Sequence, residues 1–219
     1  MEIKFVKKVM AEHERIASEI RELLAARGIY AVNVMGSPGS GKTALLEATF
    51  AAARAALRPG VIEGDIATSN DAERLARFEL PVVQVNTGPF GGDCHLGANF
   101  IRAALDDLPL ERIRTLFVEN VGNLVCPAEF DIGENMKVAV LSVTEGEDKP
   151  LKYPLMFRES KAVVISKTDL LPHLEIDLPR LRANLAAVNG GLAVFELSSR
   201  TGAGVAAWVD YLRASAGIA

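Results

Sequence analysis

Residues Gly36-Ser37-Pro38-Gly39-Ser40-Gly41-Lys42-Thr43 decide how the rest of the chain is read. They follow an apolar run, Tyr30–Met35, and lead into Ala44–Ala56, which is dominated by strong helix formers. The pattern G-x-x-x-x-G-K-[ST] between a strand and a helix is suited to holding a nucleoside triphosphate. Its glycines let backbone N–H groups converge on phosphate oxygens, and the helix N-terminus adds positive potential at the same place. Lys42 is then expected to reach the β- and γ-phosphates and act in catalysis, and the Thr43 hydroxyl to ligate Mg²⁺. Gly36, Pro38, Gly39, Ser40, Gly41, Lys42 and Thr43 form the expected phosphate-binding set.

Working outward, short apolar runs alternate with longer amphipathic ones. Strands are expected at Tyr30–Met35, Val61–Gly64, Pro81–Asn86, Thr115–Asn120, Val138–Val143, Ala162–Ser166 and Ala193–Leu197. Most lack strict polar/apolar alternation, as in sheets covered by helices on both faces. Helices are expected at Lys42–Ala56, Asn70–Phe78, Leu96–Asp107, Leu178–Val188 and Gly204–Ala214. Ahead of them, Ile3, Val6, Met10, Ala17, Ile20 and Leu24 recur at helical spacing, and Gly28 is a natural stop. The expectation is an α/β fold with a mostly parallel seven-stranded sheet. An N-terminal amphipathic helix occupies 1–28, and one nucleotide-binding domain occupies 29–219.

Composition agrees with one domain. The 219 residues are 49% hydrophobic and 24% charged, enough for a sizeable core. A formal net charge of −4 argues against gripping nucleic-acid backbones, and 6% aromatic content argues against base stacking on single strands. No apolar run approaches the ~20 residues of a membrane-spanning helix, and no secretory signal is evident. The chain is therefore expected in the cytoplasm, without nucleic-acid or membrane partners.

Two further features bear on the nucleotide. A strand expected to end at Ser166 continues Ser166-Lys167-Thr168-Asp169, which resembles the N/T-K-x-D element of guanine-nucleotide-binding proteins. An aspartate there accepts from both the ring N–H and the exocyclic amine of guanine, while the lysine stem packs over the base. Ser166 stands in place of the usual Asn. Ser198-Ser199-Arg200, after the last strand, resembles the loop that touches the base from its other side. The nucleotide is thus expected to be GTP or GDP, read by Ser166, Lys167, Asp169, Ser198, Ser199 and Arg200. Acidic strand ends at Glu63-Gly64-Asp65 and Glu119-Asn120-Val121-Gly122 are candidates for Mg²⁺, with Asp65 and Glu119 as ligands alongside Thr43. The second stretch resembles a D-x-x-G switch element with Glu for Asp, so the Gly122 N–H is placed to sense the γ-phosphate. With no arginine finger identifiable in the chain, phosphoryl transfer is expected to rest on Lys42, Mg²⁺ and backbone amides.

The only cysteines are Cys94 and Cys126, 32 positions apart, and His95 adjoins the first. Such a set is consistent with space-filling thiols, a redox pair or a metal site. Thiolates and imidazole suit Zn²⁺, and Ni²⁺ where the geometry is flatter. Cys126 lies only seven positions beyond Glu119, so movement driven by the γ-phosphate would carry to a thiol.

Several of these stretches together resemble the HypB family of hydrogenase nickel-incorporation accessory GTPases, over essentially the whole chain: Gly36–Thr43, Glu63–Asp65, Asp93-Cys94-His95-Leu96, Glu119–Pro127, Thr144–Pro150 and Lys152-Tyr153-Pro154. The resemblance implies a SIMIBI-like P-loop GTPase of slow intrinsic rate. It further implies a nucleotide- or metal-dependent homodimer holding Ni²⁺ or Zn²⁺ through Cys94, His95 and Cys126 at its interface. The implied partners are a small nickel-binding accessory protein and the precursor of the [NiFe] hydrogenase large subunit. Two departures stand out. No histidine-rich tract is present in this sequence, so nickel storage is not expected, and His13 is expected to be solvated. Gly97 stands where an acid is expected after Cys-His-Leu. The charged stretch Glu145–Pro154, with Lys149 and Lys152, is expected to be a structured loop near the nucleotide or the dimer partner, or simply a solvated one. Rival readings are a urease-type nickel-insertion GTPase, a P-loop small-molecule kinase, and a regulatory switch whose cysteines only fill space.

Overall fold

The computed structural model describes residues 4–65, 70–88 and 95–219, with side chains from Ala11 onward. The elements run α1 (Lys4–Ala26), β1 (Tyr30–Met35), α2 (Lys42–Leu57), β2 (Pro59–Asp65), α3 (Asn70–Ala76), β3 (Val82–Asn86), α4 (Ala98–Leu105) and β4 (Thr115–Glu119). They continue α5 (Cys126–Glu129), β5 (Met136–Ser142), α6 (Lys149–Lys152), α7 (Pro154–Glu159), β6 (Ala162–Ser166), α8 (Leu178–Val188), β7 (Ala193–Glu196) and α9 (Val205–Ser215). Strand order is β3-β2-β4-β1-β5-β6-β7, and every pairing is parallel rather than mostly so.

The sheet is sandwiched because alternate residues of its strands feed two apolar layers. On one face Val32 and Val34 pack with Leu46 and Phe50 of α2 and Trp208 of α9. The Trp208 Nε1–H is satisfied by Thr49 Oγ1 at 3.0 Å, so the indole is buried without an orphaned donor. On the other face Ala31 joins Ile20 and Leu24 of α1 and Ile101 of α4. Helix α1 therefore has a buried stripe against the sheet layer, and its Arg21 is ion-paired to Asp131. Farther along, Met156 and Phe157 of α7 and Leu181 and Leu185 of α8 cover β5 and β6.

Strand β1 lies between β4 and β5, so the loop leaving its C-terminal end sits at the middle of the sheet edge where all strands finish. In a parallel sheet that edge is where ligand crevices form. No helix of the described residues is long and apolar enough to cross a membrane.

Candidate functional site

The loop after β1 and the ends of β2, β4 and β6 enclose a cavity of about 470 Å³. Pro38, Gly39, Gly41, Lys42, Thr43, Asp65, Glu119, Gly122 and Lys167 of the expected set line it. A smaller cavity of about 280 Å³ shares Gly41 and Lys167 with the first and is lined further by Ser166, Asp169, Ser199 and Arg200. The phosphate-type and base-type elements thus form one continuous crevice. Gly36, Ser40 and Ser198 are buried behind its walls.

Each wall is tied to the next. Lys42 Nζ lies 3.4 Å from the carbonyl oxygens of Gly36 and Ser37, folded beneath its own loop. The Ser166 hydroxyl donates to Ser40 O at 2.5 Å and Lys167 Nζ to Gly39 O at 2.6 Å, so the base-type element clamps the phosphate loop. Ser198 Oγ donates to Asp169 Oδ1 at 2.6 Å and fixes its carboxylate. Arg200, whose side chain is 83% exposed, reaches only 3.9 Å from Asp169 Oδ2.

At the other end, Glu63 and Glu119 face each other across the β2–β4 pairing. Thr43 Oγ1 donates to Glu119 Oε1 at 2.7 Å. Among the described residues, Glu63 Oε2 and Glu119 Oε2 are buried without a hydrogen-bond partner. Burial, reinforced by Glu119, Asp65 and Asp71 nearby, pushes the Glu63 carboxyl up to about 8. Burial also pushes Glu119 up to about 7, partly offset by the Lys42 ammonium and the Thr43 hydroxyl. Orphaned oxygens and mutually repelling carboxyls beside a threonine hydroxyl are an all-oxygen donor set that fits a hard divalent cation. Thr43, Asp65 and Glu119 would hold it, joined by Glu63. Sequence reasoning had kept to Asp65, although Glu63 and Asp65 two positions apart on one strand point to the same face.

Two more residues escaped the sequence reading. Arg74 of α3 lines the larger cavity, with Nη2 2.5 Å from Glu47 Oε2 and Nη1 2.8 Å from Asp71 Oδ1. An arginine is therefore present at the cavity after all, although held by two carboxylates; no motif marks it. Glu145 belongs to the stretch whose role the sequence left open. Its Oε1 accepts the Ser142 N–H at 2.9 Å, and its Oε2 accepts the Ser37 hydroxyl, which makes it a brace for the phosphate loop. In the same stretch Lys152 pairs with Asp148 at 2.5 Å, and Lys149 sits 5.2 Å over the Tyr153 ring.

Segment 119–126 connects this crevice to the thiol. The Gly122 backbone abuts Pro38, where a Cβ at position 122 would come within 2.8 Å of Pro38 Cγ. Asn123 N–H donates to Gly36 O at 3.0 Å. Three positions later Cys126, a half-buried thiol, opens α5. Phe130 closes α5, and the His95 ring stacks on it with centroids 4.4 Å apart and planes 9° from parallel. A four-residue helix rises only about 6 Å, so His95 and Cys126 share one neighbourhood. Cys94 lies outside the described residues, and among those described no three His, Cys, Asp or Glu side chains are already gathered as a metal cage, so the carboxylates named above would draw together around a cation.

His13 is not solvated as expected. It is half-buried, its ring also meets Phe130, tilted 52° with centroids 5.2 Å apart, and its Nε2 accepts the Ala98 N–H at 3.2 Å.

Comparison with known proteins agrees with this architecture. Residues 30–196 match the family model described as CobW/HypB/UreG, nucleotide-binding domain. The hydrogenase maturation factor HypB of Rhizobium leguminosarum bv. viciae is 46% identical over 214 residues, covering 98% of this chain and 71% of that protein. The crystal structure of HypB from Helicobacter pylori in complex with nickel superimposes with a TM-score of 0.88 at 35% identity, over 94% of this chain and 95% of that one. HypB from Archaeoglobus fulgidus gives a TM-score of 0.87 at 37% identity, over 94% and 99%. A seven-stranded parallel P-loop domain, whose phosphate loop is clamped from the base side and joined through segment 119–126 to a thiol, thus places this chain in the HypB family of CobW/HypB/UreG nucleotide-binding domains.

Proposed function

We propose that this chain is a GTPase that takes nickel as cargo during [NiFe] hydrogenase maturation and couples the state of its nucleotide to how that nickel is held. The observation that carries the reading is the course of residues 119–126. They start at a carboxylate bonded to Thr43 of the phosphate loop, touch that loop again at Gly122 and Asn123, and end at the Cys126 thiol.

Guanine preference rests on Asp169, whose carboxylate is held by Ser198 at the rim of the smaller cavity. In the reacting complex Lys42 swings from its loop carbonyls to the β- and γ-phosphates, and backbone amides of 36–43 surround them. Thr43, Asp65, Glu119 and Glu63 would hold Mg²⁺, whose charge would neutralise the phosphate oxygens and relieve the repulsion between the two buried glutamates. Gly122, pressed against Pro38, registers whether the γ-phosphoryl group is present.

Nickel, the cargo, is taken by Cys94, His95 and Cys126. Two thiols and an imidazole suit Ni²⁺ in a flat geometry and Zn²⁺ in a tetrahedral one, with a further ligand supplied by water or a second copy of the chain. The functional unit is a homodimer. Its partners are a small nickel-binding accessory protein and the hydrogenase large-subunit precursor, as the family resemblance implies.

The test is nickel affinity of the purified protein with GDP and with a non-hydrolysable GTP analogue, beside phosphate release from GTP and ATP. Unequal nickel affinities and free phosphate from GTP in preference to ATP are expected. Equal affinities in the two nucleotide states would overturn the coupling.

A further inference from the structure

Asn120 lies between Glu119 and Gly122, just past the end of β4. Its side chain is fully buried at 0% exposure. One oxygen, Oδ1, accepts two backbone donors, the N–H of Val121 at 3.0 Å and the N–H of Leu96 at 2.9 Å. Nδ2 donates to Asn33 Oδ1 at 3.2 Å, and the backbone N–H of Asn120 is fixed to Val34 O at 3.0 Å. The amide group is thus immobilised from three sides.

The two donors that share Oδ1 belong to different parts of the molecule. Val121 lines the phosphate cavity and precedes Gly122, which rests on Pro38 of the phosphate loop. Leu96 follows His95 directly, and its side chain lies against Gly64, where an added Cβ would meet Leu96 Cδ1 at 2.7 Å. The residue after the imidazole is therefore wedged between the two strand ends, β2 and β4, that carry the carboxylates.

We infer that Asn120 is the positioning residue through which the nucleotide state reaches His95; the inference rests on the function proposed above and adds a second route to the one through Cys126. The physical reason is the shared acceptor. When Gly122 shifts toward a γ-phosphoryl group, the Val121 N–H shifts with it. A single rigidly held oxygen then keeps good geometry with one donor at the expense of the other. A buried N–H left without a partner is costly, so the 95–96 backbone must re-aim, turning the His95 ring relative to the Cys126 thiol. Asn33 and Val34 prevent the amide from following the motion and absorbing it.

The experiment compares wild type with Asn120→Ala, measuring nickel affinity in GDP and in a non-hydrolysable GTP analogue. In parallel, amide exchange of Leu96 is followed by NMR in the nickel-free wild type in both nucleotide states. A wild-type affinity ratio within the usual range for coupled sites, about 5- to 150-fold, is expected. In Asn120→Ala the ratio falls to near one while GDP still binds and nickel stoichiometry is kept, which a merely structural defect would not produce. Leu96 exchange is expected to change by about tenfold between the two states. The inference is overturned if Asn120→Ala keeps the wild-type ratio, or if Leu96 exchanges equally with either nucleotide. A wild-type ratio of one is a different result, since it removes the proposed function itself. If the variant does not fold, the exchange measurement decides alone.

Discussion

Asp169 lets the proposed preference for guanine be tested at a single side chain. Its carboxylate is an acceptor-only group, and Ser198 Oγ occupies one oxygen at 2.6 Å and holds its plane. Replacing it by asparagine turns one acceptor into a donor facing the guanine 2-amino group. Hydrogen bonds to a charged group contribute about 1.5–3 kcal/mol, so Asp169→Asn is expected to weaken GDP binding by roughly one to two orders of magnitude. Because xanthine presents an oxygen where guanine has the amine, XDP should gain relative to GDP; competition titrations with the two nucleotides check this. Ser198→Ala removes only the support, a neutral donor, and should cost about 1 kcal/mol with the preference for guanine retained. Asp169 itself was readable in the sequence, since the spacing after β6 points to it. Glu145 was not: its bond to Ser37 spans more than a hundred positions, and no local pattern announces such a partner.

Among the elements, α1 was visible from its helical spacing, but what it holds was not. His13 is the neutral acceptor for the first N–H of α4, and burial holds its pKa below the ordinary value, opposed in part by Asp131 and by Glu14 on its own helix. Gly97 sits in the same packing: an added Cβ there would lie 2.8 Å from Asn99 Oδ1, the movable end of a side chain, and 3.4 Å from His13 Nε2, so an acid at 97 would displace the Asn99 amide and lie against His13. The sign of the pH effect follows from the lowered pKa. The folded state binds fewer protons at His13 than the unfolded state, so this contribution is complete above an unfolded value near 6.5 and is lost as pH falls below it. His13→Gln keeps an acceptor but does not titrate. Thermal melts of the metal-free, nucleotide-free protein should show wild type losing more Tm than His13→Gln between pH 7 and pH 5.5, and parallel losses would refute the assignment. Short helices resisted the sequence reading for a related reason. Segments α5, α6 and α7 are four to six residues long, each with a proline in its first turn, too brief for a periodicity to register.

At the scale of the whole molecule, strand existence was legible because each run is apolar and bounded by turn residues, whereas strand order depends on pairings hundreds of atoms apart. Placing β4 between β1 and β2 is what brings Glu63 opposite Glu119, and that adjacency is written in neither strand alone. The consequence is a sheet whose nucleotide crevice is assembled from distant parts of the chain: the loop after β1, the ends of β2 and β4, and the turns after β6 and β7. A ligand that bridges all of them is bound by the folded chain and not by the unfolded one, so it must stabilise the fold by mass action. At a free concentration of 100 times its Kd, GDP with Mg²⁺ contributes about 2.7 kcal/mol. For a chain of this size each kcal/mol corresponds to roughly 2–4 °C, so Tm should rise by about 5–11 °C. ADP at the same concentration lacks the groups that Asp169 accepts from and should give a clearly smaller shift. Lys42→Ala should abolish most of the GDP shift, measured against the variant's own nucleotide-free Tm, because in the free protein the Lys42 ammonium, 3.4 Å from two carbonyls of its own loop, also offsets the buried Glu119 carboxylate. Equal shifts from GDP and ADP in differential scanning calorimetry would mean that the turns after β6 and β7 do not read the base, and that the two cavities do not act as one site.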